Sequence, residues 1–185
     1  MDLLDFISTS TNQDVTVGGL ALNWQLFGWN NQRYYEAKPV SLRFNQMIKH
    51  NHVKTIVRAE LVEKMDVHNV MSYTKERVET VDANGDIVRS YVNERMPTNV
   101  VALNHYHTKS LEEYKLRCKR GRAAVVKEVN ASNYLPCKSE EEILASWAHE
   151  YQHTTFDNST WTLLKERVPA YRKYTNVSSI TSSVN

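Results

Sequence analysis

Residues 100–123 read VVALNHYHTKSLEEYKLRCKRGRA, and two kinds of secondary structure meet within them. The largely apolar run at 100–106 has the length and composition of a buried strand. It leads into a helix whose start is marked by a capping box of Ser110 and Glu113 and whose expected end is Gly121. A strand followed directly by a capped helix predicts a domain of the α/β class.

Three further strand regions are predicted upstream of this segment. Residues 15–27 alternate two sets of side chains after a Gly-Gly bend, which is the period of a long strand with two faces. The β-branched run at 53–58 predicts a second strand. Residues 78–92 place an Asn-Gly pair between two strand-like arms and predict a hairpin. Together these segments predict a mixed sheet that contains the long 15–27 strand.

Helical periodicity predicts three more helices around this sheet. Apolar residues between 40 and 48 recur at helical spacing and predict a short amphipathic helix. A second capping box at 139–142 opens a helix whose apolar face extends to Tyr151, and residues 161–167 predict a third. We expect a mixed sheet with flanking helices in one domain at 1–176, followed by a frayed tail at 177–185.

The composition excludes several classes of protein. The chain has 185 residues, of which 41% are hydrophobic and 24% charged, as expected for one globular domain. Its 23 Lys and Arg barely exceed its 21 Asp and Glu, so bulk charge does not indicate nucleic acid or a membrane surface as a partner. Without an apolar run of about 20 residues or the layout of a signal peptide, the chain is expected to be soluble.

The two cysteines, Cys118 and Cys137, are too few for a disulfide framework. Their spacing fits no metal-binding or redox pair. We expect two small buried thiols, with a disulfide between them as the alternative.

The most distinctive polar side chains lie between residues 105 and 122. His105 and His107 are two apart at the end of a predicted strand, so we expect them to share one face. Six cations follow: Lys109, Lys115, Arg117, Lys119, Arg120 and Arg122. With the helix N-terminus they could hold a diphosphate, and two histidines with oxygen ligands could hold a divalent metal. The alternative is a hydrogen-bonded core histidine beside a solvated basic helix face.

Several ordered blocks of this sequence resemble one family of enzymes. They are MDLLDFI at 1–7, NWQLFG at 23–28, VKTIVR at 53–58 with Val67-His68, NHY at 104–106, the Lys109-Ser110 and Glu112-Glu113 pairs, and RGRA at 120–123. Their content and order resemble the inverting, family 2-like glycosyltransferases, especially the family 92 group.

The resemblance implies a GT-A fold and hexosyl transfer from a nucleotide-sugar to a glycan hydroxyl. In such enzymes an Asp-x-Asp pair and a later histidine hold manganese against the donor diphosphate. Asp2 and His105 match the metal-binding positions, and Lys109, Arg120 and Arg122 are expected to bind the diphosphate. The rings of Trp29, Tyr34 and Tyr35 could stack on the sugars of the acceptor glycan. Leu4 replaces the second acid, so we expect manganese to bind weakly.

The resemblance covers only part of such an enzyme. In that family the nucleotide-binding strands precede the Asp-x-Asp block, and this chain starts at that block. We therefore expect an acceptor-side half whose base-binding half is missing or is supplied by another chain. An uncovered sheet edge would favour pairing with a second copy.

Two alternative functions are retained. One is a non-catalytic carbohydrate-binding or scaffold module of the same fold. The other is a zinc metalloprotease, because His149-Glu150-Tyr151-Gln152-His153 has the H-E-x-x-H spacing that binds zinc when both histidines lie on one helix. The longer motif with a third histidine fails, since Phe156 occupies its glycine position.

Overall fold

The computed structural model describes residues 15–120 and 137–174. They form two compact units. The first contains residues 15–26 and 48–105, and the second contains the remaining described residues. The expected mixed α/β class is confirmed, because the described residues form a sheet with parallel and antiparallel strand pairs together with α-helices.

The predicted long strand is confirmed as β1 (Thr16–Phe27), which has strand partners on both sides in the sheet. On one side it pairs with β2 (Gln46–Val57). On the other it pairs in parallel with β5 (Val78–Val81) and with β6 (Leu103–His105). The expected alternation of two faces is present, but both faces are largely buried, so β1 has little solvated surface.

The first unit also contains a two-stranded antiparallel sheet. Its strands are β3 (Val62–Met65) and β4 (Val70–Tyr73), and a short 3-10 helix at Ala59–Leu61 precedes them. The apolar core of this unit has two clusters, one on each face of β1: Val17, Leu20, Leu22 and Val81, and Ala21, Val53 and Val88.

Gly18 allows side chains to pack directly on the backbone of β1. A Cβ atom added there would lie 2.4 Å from Val78 Cγ1 and 2.6 Å from Tyr73 Cε1. The register between β1 and β5 also shifts between Val17 and Gly19. The predicted Gly-Gly bend is therefore an irregularity in the strand at which a larger residue would clash.

The second unit carries four α-helices among its described residues. They are α1 (Val40–Arg43), α2 (Leu111–Arg120), α3 (Glu140–Glu150) and α4 (Ser159–Arg167). A 3-10 helix at Pro169–Tyr174 follows α4, and β7 (Thr155–Phe156) pairs antiparallel with Gln46 and Met47. One apolar cluster joins Leu111, Ile143 and Trp147, and another joins Phe27, Phe44 and Met47.

Both predicted capping boxes are confirmed. Ser110 Oγ accepts from Glu113 N at 3.3 Å, while Ser110 N donates to Glu113 Oε2 at 3.2 Å. Ser139 and Glu142 make the same reciprocal bonds at 3.2 Å and 2.8 Å. These boxes fix where α2 and α3 begin. The expected stop at Gly121 lies outside the described residues.

Two predicted elements have different bounds in the structure. The helix expected between residues 40 and 48 ends at Arg43, and Met47 and Ile48 lie in β2. Pairing of Met47 with Thr155 supplies a strand partner that outweighs the helical spacing. The strand expected at 100–106 forms only at 103–105 and is half-buried.

The predicted hairpin at 78–92 is confirmed at its turn. Val81 and Ile87 form an antiparallel bridge, and Gly85 has a φ of 86° that suits glycine. Beyond the turn, the second arm forms isolated bridges and no named strand. The main partner of β5 is β1, to which the sequence offered no local signal.

The cysteines differ from expectation at one position. Both are free; Cys118 is half-buried and Cys137 is exposed. The expectation of two buried thiols is therefore wrong for Cys137, which lies just before the exposed cap of α3.

Within residues 15–120 and 137–174, none of the helices combines the length and apolar character needed to cross a bilayer.

Candidate functional site

Four histidine rings contact the indole of Trp24 in the first unit. His105 and His50 stack on it, with ring centroids 4.4 Å and 5.7 Å away. His52 and His68 meet it at 5.2 Å and 5.4 Å in edge-on or tilted geometry. Trp24 lies in β1, His50 and His52 lie in β2, His105 lies in β6, and His68 lies in the loop before β4. The fold thus brings together rings from distant parts of the sequence. We call this group the histidine cluster.

Hydrogen bonds determine which ring nitrogen carries the proton in two of these histidines. His68 Nδ1 lies 3.1 Å from the Val53 carbonyl oxygen, so it carries a proton and donates. His50 Nδ1 accepts from the His52 backbone N–H at 3.1 Å, which leaves the ring proton on Nε2. Burial lowers the pKa of His50, His52 lowers it further, and Glu94 opposes the shift. His50 is therefore held toward its neutral form.

A buried polar network supports the strand that carries Trp24. Asn23 and Asp82 are fully buried, and Asn93 donates from Nδ2 to both, at 3.0 Å in each case. Asn23 Nδ2 in turn donates to Asn93 O at 3.1 Å. Arg95 Nε completes the network on Asp82 Oδ2 at 3.2 Å. Asn23 therefore has a clear structural role in holding β1 beside the histidine cluster.

The described residues do not by themselves form the expected manganese site. Among them, no three His, Cys, Asp or Glu side chains are placed to share one metal ion. Asp2, the expected acid partner of His105, lies outside the described residues. The Trp24 ring on which His105 stacks offers an aromatic face, whereas manganese prefers oxygen ligands. Manganese binding stays a prediction.

Three cationic side chains of the second unit converge on one cleft beside α2. The cleft has a volume of about 420 Å³, and its walls include Lys109, Arg117 and Arg120 together with His107 and Thr108. Arg117 donates from Nη1 to the His107 carbonyl at 2.6 Å, which holds its guanidinium in place. Lys109 and Arg120 are exposed. We call this the cationic cleft; it brings together two of the predicted diphosphate residues, while Arg122 lies outside the described residues.

The N-terminus of α2 is not open to an anion, contrary to expectation. The backbone N–H groups of Leu111, Glu112 and Glu113 donate to Gln32 O, Arg33 O and Ser110 Oγ at 3.0, 3.0 and 3.3 Å. The capping box thus closes the first turn from within the chain. These three N–H groups are therefore not available to a diphosphate.

Glu113 faces the cationic cleft, but its charge is balanced by Arg43. Arg43 is almost fully buried, and its Nη2 lies 2.5 Å from Glu113 Oε2. Burial raises the pKa of Glu113, and hydrogen bonds from Arg43 and Ser110 outweigh burial, so the net pKa is below its usual value. Glu113 is therefore ionised, and the buried Arg43 guanidinium neutralises its negative charge.

A second cleft lies against the neighbouring face of α2. It has a volume of about 320 Å³, and its walls include Tyr34, Glu112, Lys115, Leu116 and Lys119. The Tyr34 side chain is 74% exposed. We call it the Tyr34 cleft. Leu116 lines both clefts, so they adjoin at this residue.

The three predicted acceptor residues have different surroundings. Trp29 packs against the Trp147 ring, with 5.4 Å between centroids, as part of an apolar cluster. Tyr35 is 58% exposed, and the Arg43 guanidinium lies 5.1 Å from its ring centroid. Tyr34 and Tyr35 thus carry the exposed rings of this loop, and Trp29 contributes to the core.

The H-E-x-x-H segment does not form the expected helical pair of ligands. Helix α3 ends at Glu150, Tyr151 is its C-cap, and His153 lies in the turn that follows. His149 and His153 are therefore not one helical turn apart on a continuous helix. Burial raises the pKa of Glu150. The helical zinc geometry behind the metalloprotease hypothesis is absent from this segment.

His107 also differs from its expected position. Strand β6 ends at His105, so the alternation that would place the two histidines on one face does not extend to His107. Instead, the His107 carbonyl and ring contact Arg117 in the cationic cleft. The two-residue spacing of His105 and His107 predicted a shared strand face, but the strand ends at His105.

Sequence reasoning did not single out His50, His52 and Asn93. The two histidines are two apart on β2 and would have been assigned to one strand face if the strand had been predicted from residue 46. Asn93 lies outside any named strand and carried no pattern.

Comparison of the chain with protein-family models, curated proteins and solved structures finds no match. The function is therefore proposed from the two clefts along α2.

Proposed function

We propose that the chain acts in hexosyl transfer from a nucleotide-sugar to a glycan hydroxyl, with the donor diphosphate in the cationic cleft and a GT-A-like architecture. The observation that carries this proposal is the convergence of Lys109, Arg117 and Arg120 on one cleft. Two of these were assigned to the diphosphate from the resemblance to family 2-like glycosyltransferases. Arg117 adds a third cation that the resemblance did not assign.

The charge of the cationic cleft suits a diphosphate. Three cations line it, and its carboxylate, Glu113, is paired with buried Arg43. Arg117 is oriented by the His107 carbonyl, and a guanidinium can bind two phosphate oxygens at once. Because the first turn of α2 is closed, these side chains supply the positive charge that a helix N-terminus would supply elsewhere.

In the proposed reaction the cleft stabilises the leaving group. The acceptor oxygen forms a bond to the sugar carbon while the bond from that carbon to the diphosphate oxygen breaks. The hydroxyl proton passes through a general base to water, and negative charge develops on the departing diphosphate. Lys109, Arg117 and Arg120 would stabilise that charge more in the transition state than in the bound donor.

Release of nucleoside diphosphate from nucleotide-sugars tests this proposal. The purified chain is incubated with uridine and guanosine diphosphate sugars, with and without manganese and a glycan acceptor. We expect release by the wild-type chain and a loss of about tenfold or more in Lys109→Ala/Arg120→Ala, since each charge-assisted hydrogen bond contributes about 1.5–3 kcal/mol. An Arg89→Ala control, which removes an exposed guanidinium of the first unit, should keep full activity. Absence of release under every condition would contradict the proposal.

A non-catalytic carbohydrate-binding module is the second candidate. The exposed rings of Tyr34 and Tyr35 favour it, because an exposed aromatic face can pack against the apolar face of a sugar. Glycan binding without release of nucleoside diphosphate would support this candidate over the enzyme.

A further inference from the structure

The two clefts run side by side along one helix. Positions 111, 112, 115, 116 and 119 of α2 line the Tyr34 cleft, and positions 113, 116, 117 and 120 line the cationic cleft. At 3.6 residues per turn these two sets form neighbouring stripes about 120° apart. Leu116 belongs to both stripes and is 60% exposed. Among the described residues, Leu116 therefore lies at the boundary between the two clefts.

The two clefts differ in charge. In the Tyr34 cleft, Glu140 binds both Arg33 and Lys115, and Glu112 Oε2 accepts from the Tyr35 backbone N–H at 2.7 Å. Arg33, Lys115, Glu112 and Glu140 thus have partners within the protein, and exposed Lys119 leaves this cleft only weakly positive. In the cationic cleft, Lys109 and Arg120 extend into solvent. A ligand lying across Leu116 would meet an aromatic, nearly neutral surface at one end and positive charge at the other.

We infer that the Tyr34 cleft binds the nucleoside of the donor, so that α2 carries a two-part site for a nucleoside diphosphate. This inference rests on the proposed function and changes one role within it: Tyr34 contacts the ring of the donor, and Tyr35 is left to the acceptor. The planar base stacks on the exposed Tyr34 ring and packs against Leu116, and the phosphates cross to Lys109, Arg117 and Arg120. In this inference Tyr34 binds the nucleotide base, whereas the resemblance placed base binding in the half of the enzyme that this chain was expected to lack.

Calorimetry with two ligands separates the nucleoside contribution from the phosphate contribution. Uridine and guanosine diphosphate test the whole site, and inorganic pyrophosphate tests the cationic cleft alone. We expect Tyr34→Ala to weaken nucleoside diphosphate binding about tenfold or more while pyrophosphate binding stays within about twofold of wild type. Tyr34→Phe, which keeps the ring, should retain wild-type affinity. Arg120→Ala should weaken both ligands.

Each other outcome overturns the inference in a distinct way. If pyrophosphate binds and Tyr34→Ala leaves nucleoside diphosphate affinity unchanged, the base does not use Tyr34, and the proposed function stands without this inference. If Tyr34→Ala weakens only a neutral oligosaccharide such as maltotriose, Tyr34 belongs to the acceptor. If Tyr34→Ala weakens pyrophosphate equally, Tyr34 shapes the cationic cleft and does not bind a ring. If the wild-type chain binds neither ligand, the inference and the proposed function fail together.

Discussion

Buried Arg43 and half-buried Glu113 form an ion pair that connects α1 to the first turn of α2. Arg43 Nη2 lies 2.5 Å from Glu113 Oε2, and Arg43 Nε donates to Gln32 Oε1 at 3.2 Å. Glu113 is also the acidic member of the capping box with Ser110. One carboxylate thus caps α2, anchors a buried guanidinium and stays charged at the cationic cleft.

Removing the charge of Glu113 should be costly. In Glu113→Gln the Arg43 guanidinium remains buried without a countercharge, and breaking such a pair costs about 3–5 kcal/mol. Urea denaturation should show this loss in the free energy of unfolding. Arg89→Ala breaks the pair between exposed Arg89 and half-buried Glu79 and is the matched control, for which we expect no measurable change. Equal effects of the two substitutions would contradict the role given to the buried pair.

We expect Lys109 to lower the stability of the fold through its backbone conformation and to favour ligand binding through its charge. Its φ of 57° lies in the left-handed region, where a lysine is strained and a glycine is not. We expect Lys109→Gly to be about 1 kcal/mol more stable than Lys109→Ala in denaturant unfolding. Both variants should bind pyrophosphate more weakly than wild type, because both lack the ammonium group. A glycine variant less stable than the alanine variant would show that this backbone conformation carries no strain.

The histidine cluster should make the first unit sensitive to acid. The pKa of His50 lies below its ordinary value of 6.5, by burial and then by the neighbouring His52, with Glu94 opposing. The unfolded chain therefore binds a proton more readily than the folded one, so stability is fully present above about pH 6.5 and is lost as the pH falls through the lower folded pKa.

Thermal unfolding between about pH 7.5 and about pH 5 measures this effect. His50→Asn keeps an acceptor for the His52 N–H and removes the titration, so its profile should be flatter than that of wild type. His149→Gln replaces an exposed histidine of α3 and should keep the wild-type profile. Parallel profiles for wild type and His50→Asn would contradict the assignment to His50.

Local signals predicted the helix starts correctly. The capping boxes at Ser110 and Ser139 depend on residues three apart, so the sequence alone contains the whole interaction. The end of the helix at 40–43 depended on a distant strand, because Met47 pairs with Thr155. Helical spacing could not reveal that pairing, and a nonlocal contact decided the local structure.

The candidate sites were predictable to different degrees. Lys109 and Arg120 were assigned to the diphosphate from one basic segment that resembles the family, and the structure brings them to one cleft. The neighbours of His105 could not be identified in the same way, because His50, His52 and His68 reach Trp24 from separate segments. The closed N-terminus of α2 was equally hidden, since its partners Gln32 and Arg33 lie in a loop about 80 residues earlier.

The affinity of the chain for a nucleoside diphosphate, measured by calorimetry in wild type and in Arg120→Ala, tests the central claim most directly. The cationic cleft predicts measurable binding that weakens as salt is raised and falls about tenfold or more in Arg120→Ala, while Arg89→Ala binds as wild type does. Binding of equal strength in Arg120→Ala and Arg89→Ala, or no binding by the wild-type chain at low salt, would contradict the claim that this cleft holds a diphosphate.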